Sequence, residues 1–270
     1  MSKKRILFIA TEMSPYLELT EFAGMVNRLA IKSNDTGLEV RCIMPRFGVI
    51  NERRHRLHEV VRLSGINVSV DNDDYPLQIK VASLPNARLQ VYFLENEDFF
   101  KRKQIFHDED ETWFDDNGLR TIFFCKGALE TVKKFGWAPD VVHCSGWMSS
   151  LVPAYIKTAY KREPVFGNSK IVFTVGENTF EEKLSSDFIK KALINANIKE
   201  KDLDTAKELD NTALFRVGAT HADAITFGSD MVEQKLIDEF AKAKGKKIVG
   251  FKGLDTDLSE YMDLYNSLSI

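Results

Sequence analysis

Few residues in this chain have the types and spacing that chemistry asks for. His143 and Cys144 are neighbours, and an imidazole beside a thiol suggests nucleophilic catalysis. They sit in a short run, Asp140-Val141-Val142-His143, that reads as a strand, where adjacent side chains point to opposite faces. The two groups are therefore a poor pair, and a histidine at a strand end is more often a hydrogen-bonded core residue than a catalyst. A second candidate is acidic: His107-Asp108-Glu109-Asp110-Glu111 and Asp115-Asp116. A hard cation needs carboxylates at ordered spacing around a tight turn, and no glycine stands at the turn position of a calcium loop, so this stretch reads as an exposed loop before a helix. Arg53-Arg54-His55-Arg56 is basic but small, and reads as a solvated loop rather than a nucleic-acid site. Cys42, Cys125 and Cys144 are scattered without metal-type spacing. No metal or cofactor is expected from these residues.

The elements that must position any site are clearer. Residues 6–10 are apolar without alternation, which marks a central parallel strand covered on both faces. Pro15 bars its exit loop from continuing as strand or helix interior. Phe22, Met25, Val26 and Leu29 then recur at helical spacing. In an open α/β sheet, a loop leaving the carboxyl end of such a strand is where ligands bind. Residues 38–44, 141–143, 171–175, 224–227 and 247–250 read as further buried strands, and the exit loop of the 171–175 strand is Gly176-Glu177-Asn178-Thr179. Between Leu57 and Leu94 the pattern changes to short, partly alternating runs at 60–63, 66–70, 77–81 and 89–93, an antiparallel excursion. Asn117 is placed to cap a helix with one apolar face (Leu119, Ile122, Phe123, Leu129, Val132), and residues 257–268 suggest a closing helix. The expectation is an α/β fold, a Rossmann-like doubly wound and mostly parallel sheet, in a single domain over residues 1–270.

Composition narrows the class. Hydrophobic residues make up 44% of the 270 and charged ones 29%, with a formal net charge of −3. That balance argues against nucleic acid or an anionic membrane as partner. The apolar run behind Lys3-Lys4-Arg5 is too short for a signal-peptide core, and no run approaches the ~20 apolar residues of a membrane helix. Scattered cysteines fit a reduced, cytoplasmic compartment.

Several stretches resemble bacterial glycogen synthases and plant starch synthases, glycosyltransferase family 5. They are Ile6 through Tyr16, Met44-Pro45-Arg46-Phe47-Gly48, Trp137 through Cys144 with Trp147 and residues 151–155, residues 170–174, Ala222 through Thr226, and Gly253-Leu254-Asp255. The resemblance runs in order along the whole chain. It implies the N-terminal half of a GT-B fold, two Rossmann-like domains around a cleft, in enzymes that move glucose from a nucleotide-glucose to an α-1,4-glucan with retention. The resemblance also implies that Gly253-Leu254-Asp255 marks the crossing into a nucleotide-binding domain, which is expected to be absent.

Three departures bear on chemistry. The family's Lys-Thr-Gly-Gly loop is Glu18-Leu19-Thr20-Glu21 here, so acids replace a cation and glycines where a diphosphate would approach. A unit charge at ~4 Å is worth about 4 kcal/mol at an effective dielectric near 20, so the change of sign is large. The His-Asp-Trp motif becomes Ser145-Gly146-Trp147, and Ile-His-Asn becomes Val175-Gly176-Glu177. Glu177 does not recreate an imidazole's donor. The resemblance then implies a homologue that has lost transfer and keeps a glucan-binding, structural or regulatory role, with no catalytic residue. The alternatives are an active glucosyltransferase served by a separate donor-domain chain, and a non-carbohydrate binding module. Glu12, Tyr16, Thr20, His143, Ser145, Trp147, Gly176, Glu177 and Asn178 are the residues expected to touch a ligand, with Trp113 as a further stacking surface. The expected partners are an α-glucan or small molecule in the cleft, and a protein or second copy over the exposed cleft face.

Overall fold

A computed structural model describes residues 3–85 and 87–268. Among them ten strands form one sheet: β1 (Arg5–Ala10), β2 (Glu39–Pro45), β3 (His58–Glu59), β4 (Ile66–Val70), β5 (Asp73–Ser83), β6 (Gln90–Glu95), β7 (Val141–Ser145), β8 (Lys170–Val175), β9 (Ala224–Phe227) and β10 (Lys247–Val249). The order is β10-β9-β8-β7-β1-β2-β6-β5-β3, with β4 paired to β5. The helices are α1 (Phe22–Asp35), α2 (Glu52–His55), α3 (Glu97–Phe100), α4 (Asn117–Phe135), α5 (Leu151–Lys157), α6 (Phe188–Ala192), α7 (Asn211–His221), α8 (Gln234–Ala241) and α9 (Ser259–Ser267).

β1 lies between two parallel neighbours, β2 and β7, and its Ile6, Leu7 and Ile9 have no exposure, as an unbroken apolar run requires. The chain reverses strand order there, β2 to one side and β7 to the other, so the loop after β1 sits at the switch point. The antiparallel excursion is confined to β3, β4 and β5; β6 returns parallel beside β2. Residues 60–63 were expected to be strand and instead form a turn, because the Leu63 amide closes back on the Val60 carbonyl.

Two helix layers cover the sheet. On one face Phe173 meets Phe215 of α7, and α5 packs on α7 and α4. On the other, reached by alternation along the strands, Phe8, His143, Thr174 and Thr226 face α9. α9 lies beside α1, where Ser33 Oγ approaches Met262 Sδ. α4 is buried nearly all round rather than along one stripe, and Asn117 is its first residue, not its cap: the Asn117 amide group binds the Phe106 carbonyl and accepts from Arg120.

Candidate functional site

The loops at the carboxyl ends of β1, β7, β8 and β9 enclose two adjoining cavities of about 240 and 280 Å³. They share Thr20, Phe22, Gly176 and Glu177. The first is floored by Thr11, Gly146 and Thr174 and walled by Glu12, Phe106, His107, Trp147 and Phe215. The second is bounded by Glu21, Ser229, Asp230, Phe251 and Asp255.

Glu12 organises the loop after β1. Its carboxylate accepts the Leu19 amide at 2.5 Å, the Thr20 amide at 2.8 Å and the Thr20 hydroxyl at 2.6 Å. The Thr20 hydroxyl also accepts the Phe22 amide, and the Ala23 and Gly24 amides close on the Thr20 and Glu21 carbonyls. A helix N-terminus offers its free amides to an anion. Here the chain's own groups take those of Leu19, Thr20, Phe22, Ala23 and Gly24. Burial raises the Glu12 pKa, the hydrogen bonds from Thr20 and Leu19 pull it back, and the charge of Glu177 adds to the rise. Glu177 in turn accepts the Ser229 hydroxyl at 2.9 Å. Glu12, Glu21, Glu177, Asp230 and Asp255 line the two cavities, and no Lys or Arg among the described residues does.

Two glycines record what the site has no room for and what it has. Gly146 holds φ +80°, and a Cβ there would lie 2.3 Å from Thr11 Oγ1. No larger residue fits without moving β1's end. At Gly176 a Cβ would meet only the Phe215 ring, Cζ at 3.4 Å and Cε1 at 3.9 Å, an ordinary contact.

Glu12, Thr20, Trp147, Gly176 and Glu177 thus converge as the sequence suggested, while four others do not line these cavities. His143 is 1% exposed in the core, its Nδ1 2.6 Å from the Tyr265 hydroxyl and its Nε2 2.7 Å from Thr174 Oγ1. Burial holds its pKa down at about 3, so it is neutral. Ser145 is buried, and its carbonyl receives the Thr11 amide. Tyr16 is wedged between His55 and Phe93 and donates to the Ser83 carbonyl. Asn178 faces outward and bonds Glu181. Trp113 packs in an aromatic cluster with Phe106, Trp147 and Phe180. His107, which the sequence placed in an exposed acidic loop, reaches the cavity wall and sits 2.9 Å from Glu182. Its position before an aromatic-rich stretch was the one available signal. Among the described residues no three His, Cys, Asp or Glu side chains converge as metal ligands, and no helix is long and apolar enough to cross a membrane.

Comparison with known proteins adds ancestry to this geometry. Residues 5–260 match the family described as starch synthase catalytic domain. A glycogen synthase of Chlorobaculum tepidum is 34% identical over 268 residues, covering 93% of this chain and 53% of its own. One of Chlorobium limicola is 32% identical over 243 residues, covering 86% and 47%. The chain thus spans about half the length of these relatives. Among solved structures, the catalytic domain of starch synthase IV from Arabidopsis thaliana, bound to ADP and acarbose, superposes with a TM-score of 0.74 at 18% identity, over 95% of this chain and 53% of that one.

Proposed function

The chain belongs to the family of starch synthase catalytic domains, and from that premise we propose that it is a saccharide-binding homologue of glycogen and starch synthases that does not transfer glucose from a nucleotide donor. One observation carries the reading. The loop amides that would meet a diphosphate are already bonded, those of Leu19 and Thr20 to Glu12, and the surrounding walls carry acids without a lysine or arginine among the described residues. A diphosphate entering there would displace a carboxylate and face others. A neutral sugar meets neither obstacle: carboxylates and threonine hydroxyls accept and donate to ring hydroxyls, and Phe106 and Trp147 supply apolar wall. The relatives' glycogen synthase names make the end of an α-glucan the first ligand to test.

Transfer of radiolabelled glucose from ADP-glucose or UDP-glucose onto glycogen tests the claim. No incorporation above background is expected, together with retarded migration in a glycogen-containing gel. Clear turnover would overturn it. Leu19 is 39% exposed on the cleft wall and Met231 is 72% exposed beside Asp230, which supports a protein surface, a partner or a second copy, over the mouth. Sedimentation of the purified chain measures the second of these.

A further inference from the structure

A cavity of about 320 Å³ that shares no lining residue with the cleft lies between β4, α4 and the loops that follow α5 and α6. Lys126 of α4 stands on its wall and is the one lysine among the described residues that is buried, at 9% exposure. Its Nζ donates to the Ser69 carbonyl at 2.6 Å, an uncharged acceptor. An ammonium group carries three donors, so two are left beside the cavity. Among the described residues no carboxylate forms an ion pair with it; Glu130, one turn on, acts on its charge from farther off. Comparable cations are better served. Arg46 and Lys80 both meet Glu52 and Glu95, and Arg120 reaches three oxygens. A buried cation without a counter-charge is costly, and an anionic occupant of the cavity would relieve it.

The rest of the wall says what kind of anion fits. Glu130 lines the cavity with its charge already engaged, accepting the Tyr160 hydroxyl at 2.8 Å and pairing with Lys133 at 3.3 Å. Asp71, at the turn after β4, has Lys191 only at 3.8 Å, while Lys191 meets Asp187 at 2.7 Å. Charge-assisted hydrogen bonds are about 2.7–2.9 Å long, so Asp71 is left under-served. Val68, Leu193 and Ile194 add apolar surface between the charges.

We propose that this cavity is a second ligand site, for a free α-amino acid with an apolar side chain, its carboxylate on Lys126, its ammonium group on Asp71 and its side chain against Leu193 and Ile194. The proposal goes beyond the saccharide reading and does not rest on it. A carboxylate offers two oxygens to the Lys126 donors and supplies the missing counter-charge. A zwitterion then answers a wall of both signs group by group. A phosphate would meet Lys126 but face Asp71 and Glu130, a polyamine would face Lys126, and a neutral sugar would leave the ammonium group without a counter-charge.

Calorimetric titration of the whole chain at pH 7 with valine, leucine and phenylalanine is the test. Each is compared with glycine, with the acid that lacks its amine, with the amine that lacks its carboxylate, and with inorganic phosphate. At least one of the three is expected to bind tenfold or more tightly than all four of these. Lys126→Gln should weaken that binding at least tenfold and Asp71→Asn at least threefold, with melting curves confirming that each variant folds. Asp71 lies at an exposed turn, so its variant still reads the site should Lys126→Gln fail to fold. No binding by any of the three, binding no tighter than that of a half-analogue, tighter binding of phosphate, or affinity undiminished in Asp71→Asn or in folded Lys126→Gln would each overturn the proposal. Turnover of a nucleotide sugar would overturn the earlier reading and leave this one standing.

Discussion

The Glu12 carboxylate holds both the amide and the hydroxyl of Thr20, at 2.8 and 2.6 Å, so the strand's exit loop is folded back onto an acid from its own beginning. The acid works there as an acceptor, and its charge is opposed by burial. Glu12→Gln keeps an acceptor for the two amides, and the Thr20 hydroxyl can reverse to accept from the new amide group. It is expected to change stability by less than about 1 kcal/mol, whereas Glu12→Ala strands three donors and costs about 1–3 kcal/mol. Urea unfolding of the two variants separates these outcomes, and equal losses would count against the acceptor role.

The two motif glycines should answer differently to restoration. Gly146→Ala forces a side chain into a φ of +80° and against Thr11, at an expected cost of about 1–3 kcal/mol. Gly176→Ala meets only ordinary contact and should cost less than about 1 kcal/mol. Thermal melts report both. If Gly146→Ala proves harmless, the packing of Thr11 on Gly146 does not exclude the family's acidic residue at that place.

The parts of the fold that follow from local hydrophobicity were legible. β1 carries five apolar residues in a row and β8 opens on three, Ile171-Val172-Phe173, and such runs admit little besides a covered parallel strand. Residues 60–63 misled because Val60-Val61 carries strand propensity while the Val60 carbonyl is spent on a turn, and Val61 ends 78% exposed. The site was half legible. Glu12, Trp147, Gly176 and Glu177 lie one or two residues past strand ends, where chain direction alone delivers them to one edge, and Thr20, ten residues past β1, is brought back to it by Glu12. His143 was misplaced because its side chain follows the strand's alternation toward α9, and no local pattern announced that α9 would lie there. His107 was missed because the course of its loop is fixed by Arg120, thirteen residues on and in another element.

Arg120 has no exposure and sits inside α4, donating to the Phe99 carbonyl at 2.7 Å, the Ile105 carbonyl at 2.5 Å and the Asn117 side chain at 2.5 Å. The rings of Phe47, Phe100, Phe106 and Phe114 surround its guanidinium, and Asp116 pairs with Arg102 instead. Burial pulls its pKa down to about 9. The planar fork reaches the Phe99 carbonyl from Nε and the Ile105 and Asn117 oxygens from Nη1, and an ammonium, whose donors all radiate from one nitrogen, cannot stand in both places. Arg120→Lys is therefore expected to cost on the order of 3 kcal/mol and to free the loop that carries His107. Trypsin should then cut after Lys101, Arg102 or Lys103 several times faster than in the parent chain, while cleavage elsewhere is unchanged. Uniformly faster cleavage would indicate global loosening instead.

His143 gives the fold a pH dependence with a defined sign. Its folded pKa, about 3, lies below the ordinary value of 6.5 because burial disfavours the charged ring. Between those values the unfolded chain binds a proton that the native chain does not, so native stability falls as pH drops through the window. The slope from this one group is about 1.4 kcal/mol per pH unit once pH is well below 6.5. His143→Gln, which can still bridge the Tyr265 and Thr174 hydroxyls, removes that term while other groups, such as Glu12 and His221, titrate as before. The difference in unfolding free energy between variant and parent, measured from pH 7 to pH 4, should therefore move in the variant's favour as pH falls. A difference that stays flat with pH would mean that His143 takes up its proton in the folded state, and that α9 does not seal it from water.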